Sequence, residues 1–134
     1  MLEMRILSPL AKVFPDRAPQ PANVPFEGMR NEIVSFQLAF RPESAEDNAR
    51  PWLKMEIDSP IAGHLRARRV KYVPVRIGKL PHTDDNYLKN GAQGLYPDPL
   101  IDIPPHGIRA IPGVWEAIWF DFDPNDAVEP GEYP

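Results

Sequence analysis

Eighteen of the 134 residues are proline, and that fact limits this chain more than any other. A proline has no N–H to give and a fixed φ, so it is excluded from helix interiors and from the middle of a sheet ladder. The proline-free windows are short, among them Phe26 to Arg41, Ile61 to Val73 and Gly113 to Asp123. These suit strands better than long helices. With 8 glycines the two residue types together stay below the ~25–30 per cent of low-complexity chains. At 43% apolar and 25% charged residues, the composition is that of one globular domain spanning 1–134.

Hydrophobic alternation picks out the strands. In "NEIVSFQLAFRP", Val34, Phe36, Leu38 and Phe40 share one face, and Ser35, Gln37 and Ala39 the other. This predicts a half-buried strand with its first set in the core. "WLKMEID" repeats the pattern, with Leu53, Met55 and Ile57 on one face. "RRVKYVPVRIG" gives a third strand, at an edge or bulged where Pro74 sits. "VWEAIWFDFD" gives a fourth, apolar on both faces and so expected to be covered on both, by a long loop or another domain. "EMRILSPLAKVF" supplies one or two short strands broken at Ser8-Pro9, and Glu132-Tyr133 begins to resemble one more. Five or six strands with turn residues between them predict an all-β fold, an antiparallel β-sandwich of jelly-roll or Ig-like type. Lys79 to Gly113 shows no clear element and predicts a long Pro-rich loop. Its apolar residues, such as Leu95, Tyr96 and Leu100, must pack on the sandwich or on a neighbour.

Several chemistries find little support. There is no cysteine, hence no disulfide, thiolate nucleophile or Cys-based zinc site. Asp84, Asp85, Asn86 and Asp98 lack the spacing of a calcium loop, and a solvated turn is the simpler reading. His64, His82 and His106 are scattered without metal-ligand spacing. Four serines and one threonine occur without Gly-x-Ser-x-Gly, and "NGAQG" is no phosphate loop. No metal or other cofactor is expected. The run holding Arg66, Arg68, Arg69, Lys71, Arg76 and Lys79 is read as pairing with Glu116, Asp121 and Asp123 on a neighbouring strand. With a net charge of −4, no nucleic-acid partner is expected. No apolar stretch approaches the ~20 residues of a membrane span. No signal peptide is visible, so a cytoplasmic location is the default expectation.

Three motifs in order resemble a known family. Arg30, Asn31, Glu32, Ser35, Phe36 and Gln37 form the first, and Pro97, Asp98, Pro99 and Leu100 the second. The third holds Trp119, Pro124, Asp126, Ala127, Pro130, Gly131 and Tyr133. The order is similar to that in the N-terminal region of glycoside hydrolase family 123 proteins and a related, largely uncharacterised bacterial family. That resemblance implies an N-terminal β-sandwich ahead of a downstream barrel domain, which carries an Asp-Glu pair for substrate-assisted cleavage of N-acetylhexosaminides. No residue here matches that pair, so the chain is expected to be a non-catalytic accessory domain and the N-terminal part of a longer protein. An independent carbohydrate- or protein-binding module is the alternative. Tyr87, Tyr96, Pro97, Asp98 and Trp119 are the candidates for binding or domain contact, with a glycan, the barrel or a second copy of the chain as partner.

Overall fold

The computed structural model describes residues 1–23, 25–43, 50–75 and 94–134. Seven strands lie in this part of the chain: β1 (Leu2–Leu7), β2 (Val34–Pro42), β3 (Trp52–Leu53), β4 (Leu65–Val75), β5 (Gly94–Asp102), β6 (Ile108–Arg109) and β7 (Glu116–Phe122). Two short 3₁₀ turns, Ala62–His64 and Asn125–Ala127, are the helical elements among the described residues. Five strands form one sheet in the order β1-β2-β7-β4-β5, and β3 and β6 form a two-stranded ribbon. Every pairing is antiparallel, so the all-β expectation holds. Neither sheet closes on itself, and β1 and β5 are the edges of the larger one.

The register sorts the side chains of β2 and β7 onto two faces. Phe36 lies opposite Phe120 and Leu38 opposite Ile118. On this first face they pack with Ile108 and Ala110 and with half-buried Leu53, Met55 and Ile57. Phe26, Phe36 and Phe120 stack in a row, with ring centroids 5.4 and 5.0 Å apart. The second face carries Ala39, Ala117, Val70 and Trp115. The segment after β1 crosses it, placing Val13 in that cluster beside Leu7. The last-strand expectation of double coverage holds: the N-terminal crossover covers the second face, and Ile108 and Ala110, from the Lys79–Gly113 stretch, pack on the first.

Four further expectations are corrected. Of "WLKMEID" only Trp52 and Leu53 join a ladder. Their partner β6 is two residues long, with Pro104-Pro105 before it and Pro112 after it, so the ladder cannot lengthen. The Lys79–Gly113 stretch is no structureless loop where it is described, because β5 and β6 lie within it. Its prolines are tolerated because β5 is an edge strand. A bulge also relieves it: Val70 faces Leu100 and Tyr72 faces Pro97, so Asp98-Pro99 together oppose Lys71. Glu132-Tyr133 forms no strand; the Tyr133 hydroxyl donates to Glu129 O at 2.5 Å. Finally, the Ser35, Gln37 and Ala39 face of β2 is not the exposed one, since Gln37 and Ala39 are buried while Val34, Phe36 and Leu38 are half-buried. Pro74 behaves as expected. Although β4 lies inside the sheet, its pairing with β7 ends at Val70, so at Pro74 the strand is locally an edge.

Candidate functional site

On the first face the ribbon does not reach the β1 edge. The gap is a cleft of about 200 Å³ bounded by Leu2 and Met4 of β1, Leu38 and Phe40 of β2, Leu53 to Glu56, Ile108 and Ile118. Its rim stays in contact with solvent, with Leu2 39% and Met4 58% exposed, and Ile6, next along β1, is 52% exposed. Such an apolar strip, with Lys54 and Glu56 at its border, has the character of a contact surface. It holds no nucleophile paired with a base. A second hollow, of about 270 Å³, lies between Phe14 to Arg17 and Gly94 to Tyr96. There Phe14 meets Tyr96 edge to face, with centroids 5.2 Å apart, and the Arg17 guanidinium lies 4.3 Å from the Phe14 ring centroid.

The candidates from sequence are not brought into one site. Tyr96 borders the second hollow, with Pro97 and exposed Asp98 next along the β5 edge. Trp119 sits opposite Arg68, whereas Tyr96 sits opposite Val73. Five residues of β4 separate those positions, roughly 16 Å at strand rise. Tyr87, His82 and the Asp84-Asp85-Asn86 cluster lie outside the described residues. Of the other tryptophans Trp115 is buried, while Trp52 is exposed and meets His106 edge to face at 4.9 Å.

Polar groups gather instead on the second face, where they hold the fold. Asp121 accepts hydrogen bonds from Ser35 Oγ and Trp119 Nε1, each at 2.7 Å, and pairs with Arg68. Burial pushes the Asp121 carboxyl up, but the donors Ser35, Trp119 and Arg68 outweigh it and hold the group below the usual carboxylate range. Glu3 bridges Arg5 and Arg41 at 2.7 Å each. The hydrogen bond from Arg5, assisted by Arg41, overcomes the effect of burial and lowers its pKa. Both guanidinium groups lie 5.1 Å from the centroid of the Trp115 ring. The Gln37 amide donates to the carbonyls of Ser8, Pro9 and Ala11 at 3.2, 3.2 and 2.8 Å, latching the crossover to β2. On the first face instead, between β4 and β7, Arg69 pairs with buried Glu116. The Tyr72 hydroxyl donates to Trp115 O at 2.6 Å, and burial, with the Glu116 charge nearby, raises its pKa.

Of the basic run, Arg68 and Arg69 are thus paired across strands with Asp121 and Glu116, and Arg66 lies 3.5 Å from Asp102. Asp123 takes another role and accepts from Asn125 N. The motif residues meet as well: Asn31, at a left-handed φ of 62°, donates to Asp126 Oδ1 at 2.8 Å. Asn31, Ser35, Gln37, Trp119 and Asp126 are accounted for by these bonds within the domain. Among the described residues no group of three His, Cys, Asp or Glu could hold a metal ion, and no helix is long and apolar enough to cross a membrane. No protein-family model matches the chain, and no curated protein matches it.

Sequence reasoning missed the cleft and the Gln37 latch. The cleft had a signal, the alternating apolar residues of "LEMRIL" with no strand assigned to cover them. The latch had none, because its acceptors are backbone carbonyls.

Proposed function

We propose that this chain is a non-catalytic accessory domain whose cleft face packs against a neighbouring domain. The observation that carries this reading is the apolar strip of Leu2, Met4 and Ile6 beside the cleft, left open by a ribbon too short to cover it. The ribbon and the five-stranded sheet make an incomplete sandwich of two layers, and a second domain would complete the cover. The resemblance to glycoside hydrolase family 123 proteins supplies the partner, a downstream barrel carrying the catalytic pair. Catalysis would then belong to the barrel, and the pairing of Asp121 and Glu116 with arginines supports a structural role for the buried carboxylates of this domain.

The test is a polypeptide in which the domain is followed by its barrel. Met4→Lys should split a single thermal transition into two, because it charges the proposed contact while leaving the fold of the domain intact. A single transition at the wild-type temperature would refute the docking. A coding sequence with no barrel after these residues would refute the choice of partner.

One observation favours an independent carbohydrate-binding module instead. Trp52 is 54% exposed, with His106 against its ring and Arg109 directly across the ribbon. This is an aromatic surface with hydrogen-bond donors beside it. A glycan panel read by tryptophan fluorescence decides between the two readings. Saturable binding lost in Trp52→Ala would establish the module, and silence across the panel would leave the accessory reading.

A further inference from the structure

Strand β1 is an edge, and its register fixes which of its backbone groups are spare. Glu43 N donates to Met1 O at 2.9 Å, so the hydrogen-bonded pairs with β2 fall at Glu3–Arg41, Arg5–Ala39 and Leu7–Gln37. Alternation turns the N–H and C=O of Leu2, Met4 and Ile6 away from β2. One of these groups is held: Ala22 N donates to Ile6 O at 2.8 Å. The other five have no partner among the described residues. The strap that contains Ala22 has proline at 19 and 21, which cannot donate, so among the described residues it gives this edge a single backbone bond. An edge with open groups and exposed apolar side chains is a template for another strand.

We propose that β1 pairs antiparallel with β1 of a second copy of this chain, about a two-fold axis at Met4. The stretch Leu-Glu-Met-Arg-Ile is its own complement in that register. Met4 meets Met4 of the second copy, and Leu2 meets Ile6, which are the residues with outward backbone groups. On the opposite face Glu3 falls across from Arg5, twice by symmetry, and opposite charges facing across a ladder favour the pair. Sliding the register by two residues would set Glu3 against Glu3, or Arg5 against Arg5. The charges therefore select the Met4-centred arrangement and a second copy as its occupant. Leu2 of the second copy takes the place of Ala22 on Ile6 O, so the strap gives up one bond where the ladder gains a pair. This contact uses the outward backbone groups of Leu2, Met4 and Ile6, whereas the docking proposed above uses the side chains of the same residues on the cleft face. It also differs from an association through Tyr96, Pro97 or Trp119. In particular β7, which carries Trp119, has strands on both sides and offers no edge.

The test uses sedimentation velocity on the full chain from micromolar to millimolar concentration. The wild type should pass from monomer to dimer. Met4→Pro removes an outward N–H and leaves the β1–β2 ladder intact, so it should weaken the dimer at least about ten-fold. Glu3→Lys and Arg5→Glu each place like charges across the seam, and each should stay monomeric alone. Mixed 1:1 they regain both opposite-charge pairs and should form a heterodimer. Because the chain has no cysteine, Met4→Cys should give a disulfide-linked dimer on mild oxidation. Met29→Cys, at a more exposed position, should do so far more slowly. A wild type that is monomeric throughout, a mixture no more associated than its components, or equal cross-linking at 4 and 29 would overturn the proposal. Circular dichroism reports whether each variant folds, and the mixture and cross-linking arms still decide if Met4→Pro does not.

Discussion

The two faces of the five-stranded sheet differ in a direction opposite to their composition. The face built from Phe36, Leu38, Ile118 and Phe120 is the more apolar, yet its margin at Leu2, Met4 and Ile6 is open to solvent. The face with Ser35, Gln37, Ala39 and a cluster of charges is the better sealed, with Leu7, Val13, Ala39 and Trp115 at 0–1% exposure. The difference lies in what crosses each face. A continuous crossover, latched by Gln37 and backed by the hydrogen bond from Trp115 N to Pro15 O, covers one. A ribbon with two residues in each strand covers the other. Most polar side chains tolerate burial here because they find partners, although Arg68 Nε and Trp115 Nε1 have none among the described residues. An unpartnered buried amide would cost about 1–3 kcal/mol.

The contrast between the faces is most exposed to test at Trp115. Trp115→Ala should lose about 3–5 kcal/mol, as large truncations in sealed sites do, and it also removes the ring on which the Arg5 and Arg41 guanidinium groups rest. Phe36→Ala, on the partly open face, should lose less, about 3 kcal/mol, at the lower end of that range. Urea unfolding of both proteins gives the ordering, and a larger loss at Phe36 would reverse the assignment of the sealed face.

Next comes the latch. Gln37→Met keeps most of the volume but leaves the three carbonyls without their donor, so a loss of about 1–3 kcal/mol is expected. If stability is unchanged within error, the crossover is held by Val13 and the bond from Trp115 N to Pro15 O, not by the latch.

Acid should act on the sealed face first. The folded-state pKa of Asp121 lies below its unfolded value. Its stabilisation is therefore fully present above the ordinary aspartate range and is lost as pH falls through the lower folded value. Thermal melts between pH 7 and pH 2 should show a declining acid limb, and Asp121→Asn should flatten it. Glu3 contributes with the same sign. An acid limb unchanged in the Asp121→Asn variant would contradict the network. The smallest effect belongs to the open margin, where Met4→Ser should change stability by no more than about 0.5 kcal/mol, as exposed substitutions do.

How much of this was legible depended on where each signal lies in the chain. The period-two alternation at Val34 to Phe40 and Ile118 to Phe122 names β2 and β7 because both halves of the signal are local. The charges of Arg68 and Arg69 against Asp121 and Glu116 were also legible, since opposite signs on neighbouring strands leave few other arrangements. Strand β5 was hidden because Pro97 and Pro99 look like breakers until the sheet order makes β5 an edge. The burial of Gln37 was hidden for a different reason. Glutamine at a polar position of an alternating strand reads as solvent-facing, and only the path of Ser8 to Val13 across the sheet changes that. The candidate residues Tyr96 and Trp119 suffered from the same limit. Sequence placed Trp119 on a strand and Tyr96 in a loop, and could not show that they sit five residues apart along β4.

Everything above turns on the N-terminal crossover sealing the polar face while the apolar face stays open at β1. Thiol labelling of the otherwise cysteine-free chain probes this without an intermediate step, by comparing Val13→Cys with Ile6→Cys under native conditions. Val13 is fully buried and Ile6 is 52% exposed, so the thiol at 6 should react as a free one. The thiol at 13 should react at least about 10³-fold more slowly, paced by opening of the fold. Equal rates at the two positions would mean that the crossover does not seal that face, and the contrast between the two faces would be gone.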